Sequence, residues 1–265
     1  LSAEIPHVST VHDLIGWFIR GNEYRIPFEN AIKKSYRISA ISNYVKDDIV
    51  KNLGVNPEKI IVIPNSIRYE RKTEIPVKEI SFPYVLNVNA FRKHKNTITL
   101  LDAFAKIKNQ TVCNLVLCAG GGKDESNGNY EEIVSRISEL GIENRVFIFY
   151  QVEEGKLEYL YNHAKLFVNP STQEGFGRTP VEASLHKIPV LSTKETSLYE
   201  ATLGMVQYIE NPYDSGEIAQ KILRILKDGA NYDVDSVAEK FKDYYDPKKI
   251  SQVYWNFFMD CIGSL

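Results

Sequence analysis

The chain has 265 residues, of which 43% are hydrophobic and 25% charged, with a formal net charge of -2. That is ordinary globular composition for one large domain or two smaller ones, and the charge balance lacks the basic footprint of a nucleic-acid binder. No apolar run approaches the roughly 18 to 20 residues that span a bilayer, and the three cysteines, Cys113, Cys118 and Cys261, fit neither a zinc spacing nor a disulfide framework.

A reducing cytoplasm is the expected compartment. The opening residues do not read as a signal peptide. The first residue is Leu, and Ile5 to Val11 reads as a strand from inside a domain, so a fragment lacking an N-terminal region is expected. That strand runs into His12-Asp13-Leu14-Ile15. A polar pair at a strand end suits a site mouth, while Asp13 suits equally the cap of a following helix. Residues 20 to 37 carry Arg20, Arg25, Lys33, Lys34 and Arg37 among Trp17, Phe18, Tyr24 and Phe28. They read more readily as a solvated helix face; the functional alternative is a surface for a lipid-linked acceptor and peripheral membrane contact.

Ile38 to Ile41 is a short strand, and Ser42 caps a helix over Asn43 to Asn52 that Gly54 ends. Ile60 to Ile63 is a β-branched strand stopped by Pro64-Asn65. Residues 66 to 80 have no period and read as a linker. A second lobe opens with the strand Tyr84 to Val88 and the cationic loop Asn89 to Lys95, which contains Arg92, Lys93, His94 and Lys95. A helix starts at Asn96 or Thr97, so that loop is well placed for an anionic ligand. The strand Asn114 to Ala119 leads into Gly120-Gly121-Gly122, a weak phosphate-binding signal, because the G-x-G-x-x-G fingerprint is absent. Further elements follow in alternation: helix Tyr130 to Leu140, strand Val146 to Tyr150, helix Glu154 to Ala164 and strand Leu166 to Val168.

Asn169 to Glu182, N-P-S-T-Q-E-G-F-G-R-T-P-V-E, comes next. Gly175-Phe176-Gly177 brings backbone amides near a ligand, since neither glycine has a Cβ. Thr179 reads as an N-cap, Pro180 as the first helical residue, and Glu182, three residues after the cap, as the partner of Thr179 in a capping box. A helix over 180 to 187, the strands Val190 to Ser192 and Met205 to Ile209, a helix from Asp214 to Gly229 and a last helix from Asp246-Pro247 complete the chain. The alternation predicts an α/β fold with mainly parallel sheets.

These residues resemble the retaining glycosyltransferases of the GT-B fold, in the group called family 4. N-P-S-T-Q-E-G-F-G-R-T-P-V-E-A is similar to the family's P-S-x-x-E-G-F-G-x-x-x-x-E-A. V-H-D-L (11 to 14), A-I-S-N-Y-V-K-D-D-I (40 to 49), I-V-I-P-N (61 to 65), H-K-N with L-L-D-A-F (94 to 104), I-P-V-L-S (188 to 192) and N-P-Y-D (211 to 214) follow in the family's order. The resemblance implies two Rossmann-like lobes with a nucleotide-sugar in the cleft between them. The N-terminal lobe is incomplete here and the C-terminal lobe complete. Residues 1–78 are then the remnant of the acceptor-binding domain, 79–245 the donor-binding domain, and 246–265 a helix crossing back.

By position, the resemblance assigns Glu174 to the donor sugar near the reacting carbon. Gly175, Phe176 and Gly177 take the sugar and diphosphate through backbone amides, and Glu182 takes the ribose hydroxyls. Lys95 meets the diphosphate and His12 lines the sugar site. Asn89-Ala90 stand where many members have glycine and arginine, so Arg92 or Lys93 supplies that cation; Gly121 is a further donor-binding candidate. Ser66 replaces a frequent glycine, and His186-Lys187 replace a small residue and a glycine. The implied reaction is retaining hexosyl transfer from a nucleoside-diphosphate sugar to a hydroxyl of a glycan or lipid-linked acceptor in surface polysaccharide or glycoconjugate synthesis. No cofactor or metal is expected, since a lysine and a helix N-terminus stabilise the leaving diphosphate and no D-x-D pair suited to a metal-diphosphate is present. The alternative is a non-catalytic nucleotide-sugar-binding module or an inactive fragment.

Overall fold

A computed structural model describes residues 6–120 and 129–264. The described residues form two compact units. The first takes the chain up to Arg68, the short stretch Glu174–Gly177 and the chain from Asp243 onward; the second takes Tyr69–Gln173 and Arg178–Lys242. The division falls earlier than 78/79 because residues after Tyr69 are held by the second unit. The Ile75 N–H donates to the Gly155 carbonyl at 3.0 Å, and Glu74 accepts from Asn162 Nδ2 at 2.8 Å. A side chain at Gly155 would meet Ile75 and the Thr73 carbonyl at 2.8 Å, so the strap lies directly on the backbone there.

In the first unit, β1 (Val8–Val11), β2 (Arg37–Ala40) and β3 (Ile60–Val62) form a parallel sheet in that order. The helices α1 (Ile15–Ile19) and α2 (Asn22–Lys34) connect β1 to β2, and α3 (Asn43–Leu53) connects β2 to β3. Ser42 caps α3 by accepting from the Val45 N–H at 3.1 Å, and Gly54 closes it at φ 66. Both are the local chemistry the sequence advertises.

The second unit runs β4 (Tyr84–Asn89), α4 (Thr97–Ile107), β5 (Asn114–Ala119), α5 (Asn129–Glu139), β6 (Val146–Tyr150), α6 (Glu154–His163), β7 (Leu166–Asn169), α7 (Arg178–Leu185), β8 (Val190–Thr193), α8 (Leu198–Ala201), β9 (Gln207–Ile209), α9 (Ser215–Asp228) and α10 (Val234–Tyr244). Its six strands are parallel, in the order β6-β5-β4-β7-β8-β9. Val85, Leu115 and Leu117 share one buried cluster with Leu100, Leu101 and Phe104 of α4 and Ile218 and Ile222 of α9. Each large apolar side chain removed from water there contributes about 1.5 to 3 kcal/mol. The last helix, α11 (Pro247–Gly263), belongs to the first unit, where Ile250, Phe257 and Cys261 pack on Ile63. Asp246 caps it with Pro247 at its first position, as expected.

The start of α7 is a correction. The helix begins at Arg178, so Thr179 is not its cap and Pro180 not its first residue. Gly177 ends the loop at φ 92, which is left-handed space open to glycine, and the chain turns helical directly after it. Pro180 is still tolerated, because first-turn N–H groups have no partner within a helix. Helices α8 and α10 were not expected, although Asp233 and the spacing Val237, Ala238, Phe241 signal the second.

Candidate active site

The strand order reverses between β4 and β7: the chain fills one side with β5 and β6, then the other with β8 and β9. At such a switch point the loops leaving the two central strands diverge and open a crevice at their carboxyl ends. The two loops that leave here are the cationic loop 90–96 and the start of the 170–177 loop.

Polar side chains, buried or half-buried, line this edge. Asn87 donates to the Val168 carbonyl at 2.7 Å, tying β4 to β7. Asn89 donates to Asn87 and, at 3.2 Å, to Thr97 Oγ1, while its own carbonyl oxygen takes the Phe91 N–H at 2.6 Å. That contact holds Phe91 at φ 48, with its ring buried against Tyr150. A bulky residue in left-handed space is strained, and such strain is kept where surrounding contacts over-determine it.

Arg92 and Lys93 are exposed, and Lys95 is half-buried in the short 3₁₀ turn Lys93–Lys95. Asn96, at φ 57, begins α4 and is the hub of the edge. Its Nδ2 donates to the Pro170 carbonyl at 3.2 Å and the Pro212 carbonyl at 2.6 Å. Thr172 donates its backbone N–H to the His94 carbonyl at 2.8 Å. Thr193 Oγ1 donates to the Ser171 carbonyl at 2.7 Å, bringing in the β8 loop. The cationic loop and the 170–172 stretch are thus one hydrogen-bonded body within the second unit. Asn169 and Ser192 are in register on β7 and β8; Asn169 Nδ2 and Ser192 Oγ are buried with no partner among the described residues. Of the groups gathered here, the sequence exposed the cations. Asn96, Asn87 and Thr172 act through long-range bonds, for which local pattern carries no signal.

The other expected residues of the loop sit in the first unit. Gly175 is buried, and a Cβ there would lie 2.1 Å from the His12 carbonyl oxygen and 2.9 Å from Asp13 Cβ. Its carbonyl accepts from Ser42 Oγ at 2.8 Å, so the α3 cap residue also clamps the glycine loop. The Phe176 side chain is a core group, 5.5 Å from the Tyr245 ring and edge-on to it. Glu174 is half-buried and His12 exposed. Asp13 serves the start of α1 by accepting the Ile15 N–H at 2.8 Å.

Glu182 does not form the expected capping box. It lies on α7 with its Oε1 3.2 Å from Arg178 Nη2, one turn back. Beneath it the buried Tyr161 has its phenol held well above the usual range, by burial first and by the Glu182 charge second. His186 stacks on Tyr161 at 4.8 Å, and burial together with Arg71 pushes its imidazole down to about 4. Lys187 adopts φ 61, the conformation a glycine takes freely. Gly121 lies outside the described residues. Among the described residues no group of His, Cys, Asp and Glu is set to hold a metal. The one D-x-D triplet, 233–235, is used structurally: Asp233 caps α10 and Asp235 pairs with Lys187 at 2.7 Å. No described helix is long and apolar enough to cross a membrane.

The family described as glycosyl transferases group 1 matches residues 69–244, and glycosyltransferase family 4 matches residues 1–71. The chain belongs to the group 1 glycosyltransferases. This glycosyltransferase is 28% identical over 245 residues to the O-antigen chain mannosyltransferase RfbU of Salmonella typhimurium, covering 87% of the present chain and 66% of the relative. It is 24% identical to mannosylfructose-phosphate synthase of Agrobacterium fabrum, covering 84% and 56%. The chain therefore spans about two thirds or less of the length of these relatives. Its fold is that of GT-B enzymes: the crystal structure of Anabaena Alr3699/HepE in complex with UDP and glucose superposes with a TM-score of 0.82 at 20% identity, over 96% of this chain and 72% of that one.

Proposed function

We propose that the chain carries the donor-binding part of an enzyme that moves a hexosyl unit from a nucleoside-diphosphate sugar to a hydroxyl of a glycan or lipid-linked acceptor, with retention at the anomeric carbon. The observation that carries this reading is the hydrogen-bonded body at the switch point, where three cations of the β4 loop stand beside the first residues of the β7 loop. Charge that builds on a leaving diphosphate falls to Lys95, assisted by Arg92 or Lys93 and by the start of α4. Glu174, with His12 and the amides of Gly175 to Gly177, serves the sugar; Glu182 serves the ribose. No metal and no cofactor enters this scheme. The mannosyltransferases among the relatives make mannose the first sugar to test and surface polysaccharide synthesis the setting.

A lipid-linked acceptor and peripheral membrane contact on the cytoplasmic side draw support from Phe18, Ile19 and Ile26, which are exposed beside the basic segment. Two of its cations are already engaged, with Arg20 over the Tyr24 ring at 4.7 Å and Arg25 over Trp17 at 4.3 Å.

Calorimetric titration with UDP- and GDP-sugars tests the reading: binding of one nucleotide class is expected, weakened in Lys95→Ala, and no binding at millimolar concentration would sink it. A second reading is a nucleotide-sugar-binding module without catalysis. That module binds donor but neither transfers nor hydrolyses the sugar.

A further inference from the structure

Among the described residues, the Tyr161 hydroxyl is buried and has no hydrogen-bonding partner. A buried O–H left unpaired is costly, and such a group in a native fold calls for a reason. Here the phenol cannot turn to find a partner. Its ring lies parallel to His186, with centroids 4.8 Å apart and 13° between planes, and it also packs on Phe167 at 6.0 Å. His186 is itself fixed: its Nδ1 donates to Asn162 Oδ1 at 2.8 Å, and it meets Tyr69 edge-on at 5.3 Å. The hydroxyl is therefore held in one place by a column of packed rings.

The neighbouring carboxylate is Glu182: His186, which stacks on Tyr161, donates its backbone N–H to the Glu182 carbonyl at 3.3 Å one turn back. The Glu182 charge helps keep the phenol protonated, while the hydroxyl makes no hydrogen bond of ordinary geometry. Glu182 is the adjustable partner. Its side chain is 28% exposed, and its described contact is the ion pair with Arg178, itself 61% exposed. Such solvent-facing pairs at i,i+4 are weak and exchange readily. A carboxylate accepts about four hydrogen bonds, so Glu182 has room for the phenol, for Arg178 and for two ligand hydroxyls together.

We propose that Tyr161 is a positioning residue for Glu182: its buried hydroxyl is the donor that orients the Glu182 carboxylate when that carboxylate receives the ribose hydroxyls of the nucleotide. The proposal rests on the reading of Glu182 as the ribose-binding group. It adds why that group selects a ribose. A carboxylate held by Arg178 alone swings with a solvated side chain, whereas one held also by a fixed phenol presents its free lone pairs in one direction. His186, fixed by Asn162 and Tyr69, makes the column rigid.

The test uses the whole chain, Tyr161→Phe, Glu182→Ala and the double variant. Calorimetry measures binding of the nucleoside diphosphate and of its 2′,3′-dideoxy counterpart. The wild type is expected to prefer the ribonucleotide. Tyr161→Phe is expected to lose about tenfold in that preference through the ribonucleotide alone, with its thermal midpoint unchanged or raised, since it removes an unpaired hydroxyl. In the Glu182→Ala background the same substitution should change nothing, because the two act as one unit. A preference intact in Tyr161→Phe, or losses that add in the double variant, would overturn the proposal while leaving Glu182 in its role. A wild type indifferent to the ribose hydroxyls, or a Glu182→Ala variant that keeps the preference, would overturn the reading of Glu182 and this proposal with it.

Discussion

Lowering the pH from about 7.5 to about 5 should weaken the second unit through His186. The imidazole is pushed from 6.5 to about 4 by burial first and by the Arg71 guanidinium second, with the Glu74 charge opposing. Glu158 stands 3.9 Å from Nε2, outside hydrogen-bonding reach, Nδ1 donates to Asn162 Oδ1 at 2.8 Å, and the Tyr161 and Tyr69 rings pack on the imidazole. The folded chain thus refuses a proton that the unfolded chain accepts. This group's contribution is whole above about pH 6.5 and is lost as the pH falls toward about 4. The full gap of about 2.5 in pKa is worth about 3 kcal/mol, and about 2 kcal/mol of it is gone by about pH 5. Glu74, held low by His163 and Asn162, loses its own contribution as the pH falls through its depressed folded value. A variant control is therefore needed, and His186→Phe keeps the stack on Tyr161 without titrating. Both tryptophans, Trp17 and Trp255, lie in the first unit, so urea unfolding should be followed by far-ultraviolet circular dichroism. The expected result is a wild-type midpoint that falls more steeply with acid than that of the Phe variant. Parallel profiles down to about pH 4.5 would refute the argument.

Gly175→Ala should cut turnover about 100-fold, because its Cβ would lie 2.1 Å from a backbone oxygen and the loop must shift by about an ångström. Retention of activity within about threefold in a transfer assay would show that the close approach carries no function. Ser42→Ala should cost about 2 to 4 kcal/mol in urea unfolding, from a lost cap and an unpaired buried Gly175 carbonyl. Ser42→Thr should recover most of it. Lys187→Gly should stabilise by about 1 kcal/mol, since left-handed backbone strain outweighs an exposed pair with Asp235; a lower thermal midpoint would contradict this.

What the sequence made legible was local. Ser42, Gly54, Asp214 and Asp246-Pro247 mark helix ends through bonds made within a few residues, and each does so in the structure. The β-branched runs became strands because fully buried parallel strands need little else. Strand order was not legible, because the pairing of β4 with β7 joins residues some 80 positions apart. The start of α7 was misread for a related reason. Thr179 has the composition of a cap, but the turn belongs to Gly177, whose positive φ is a demand of the loop before it.

The motif that runs from Glu174 to Glu182 looks like one loop in sequence, yet its halves answer to different surroundings. Gly175 has no side chain because the His12 carbonyl occupies that space, and Phe176 is a core residue against Tyr245. Glu182 rises from a helix backed by Tyr161 and His186. The first half is set by the first unit and the second half by the second. The two glutamates therefore have separate failure modes. Disturbing the His12–Ser42 seat should damage sugar handling with ribose preference intact, whereas disturbing the Tyr161–His186 column should erase ribose preference with the glycine loop intact. A variant at either place that produced both defects would show that the nine-residue stretch from Glu174 to Glu182 acts as one rigid element after all.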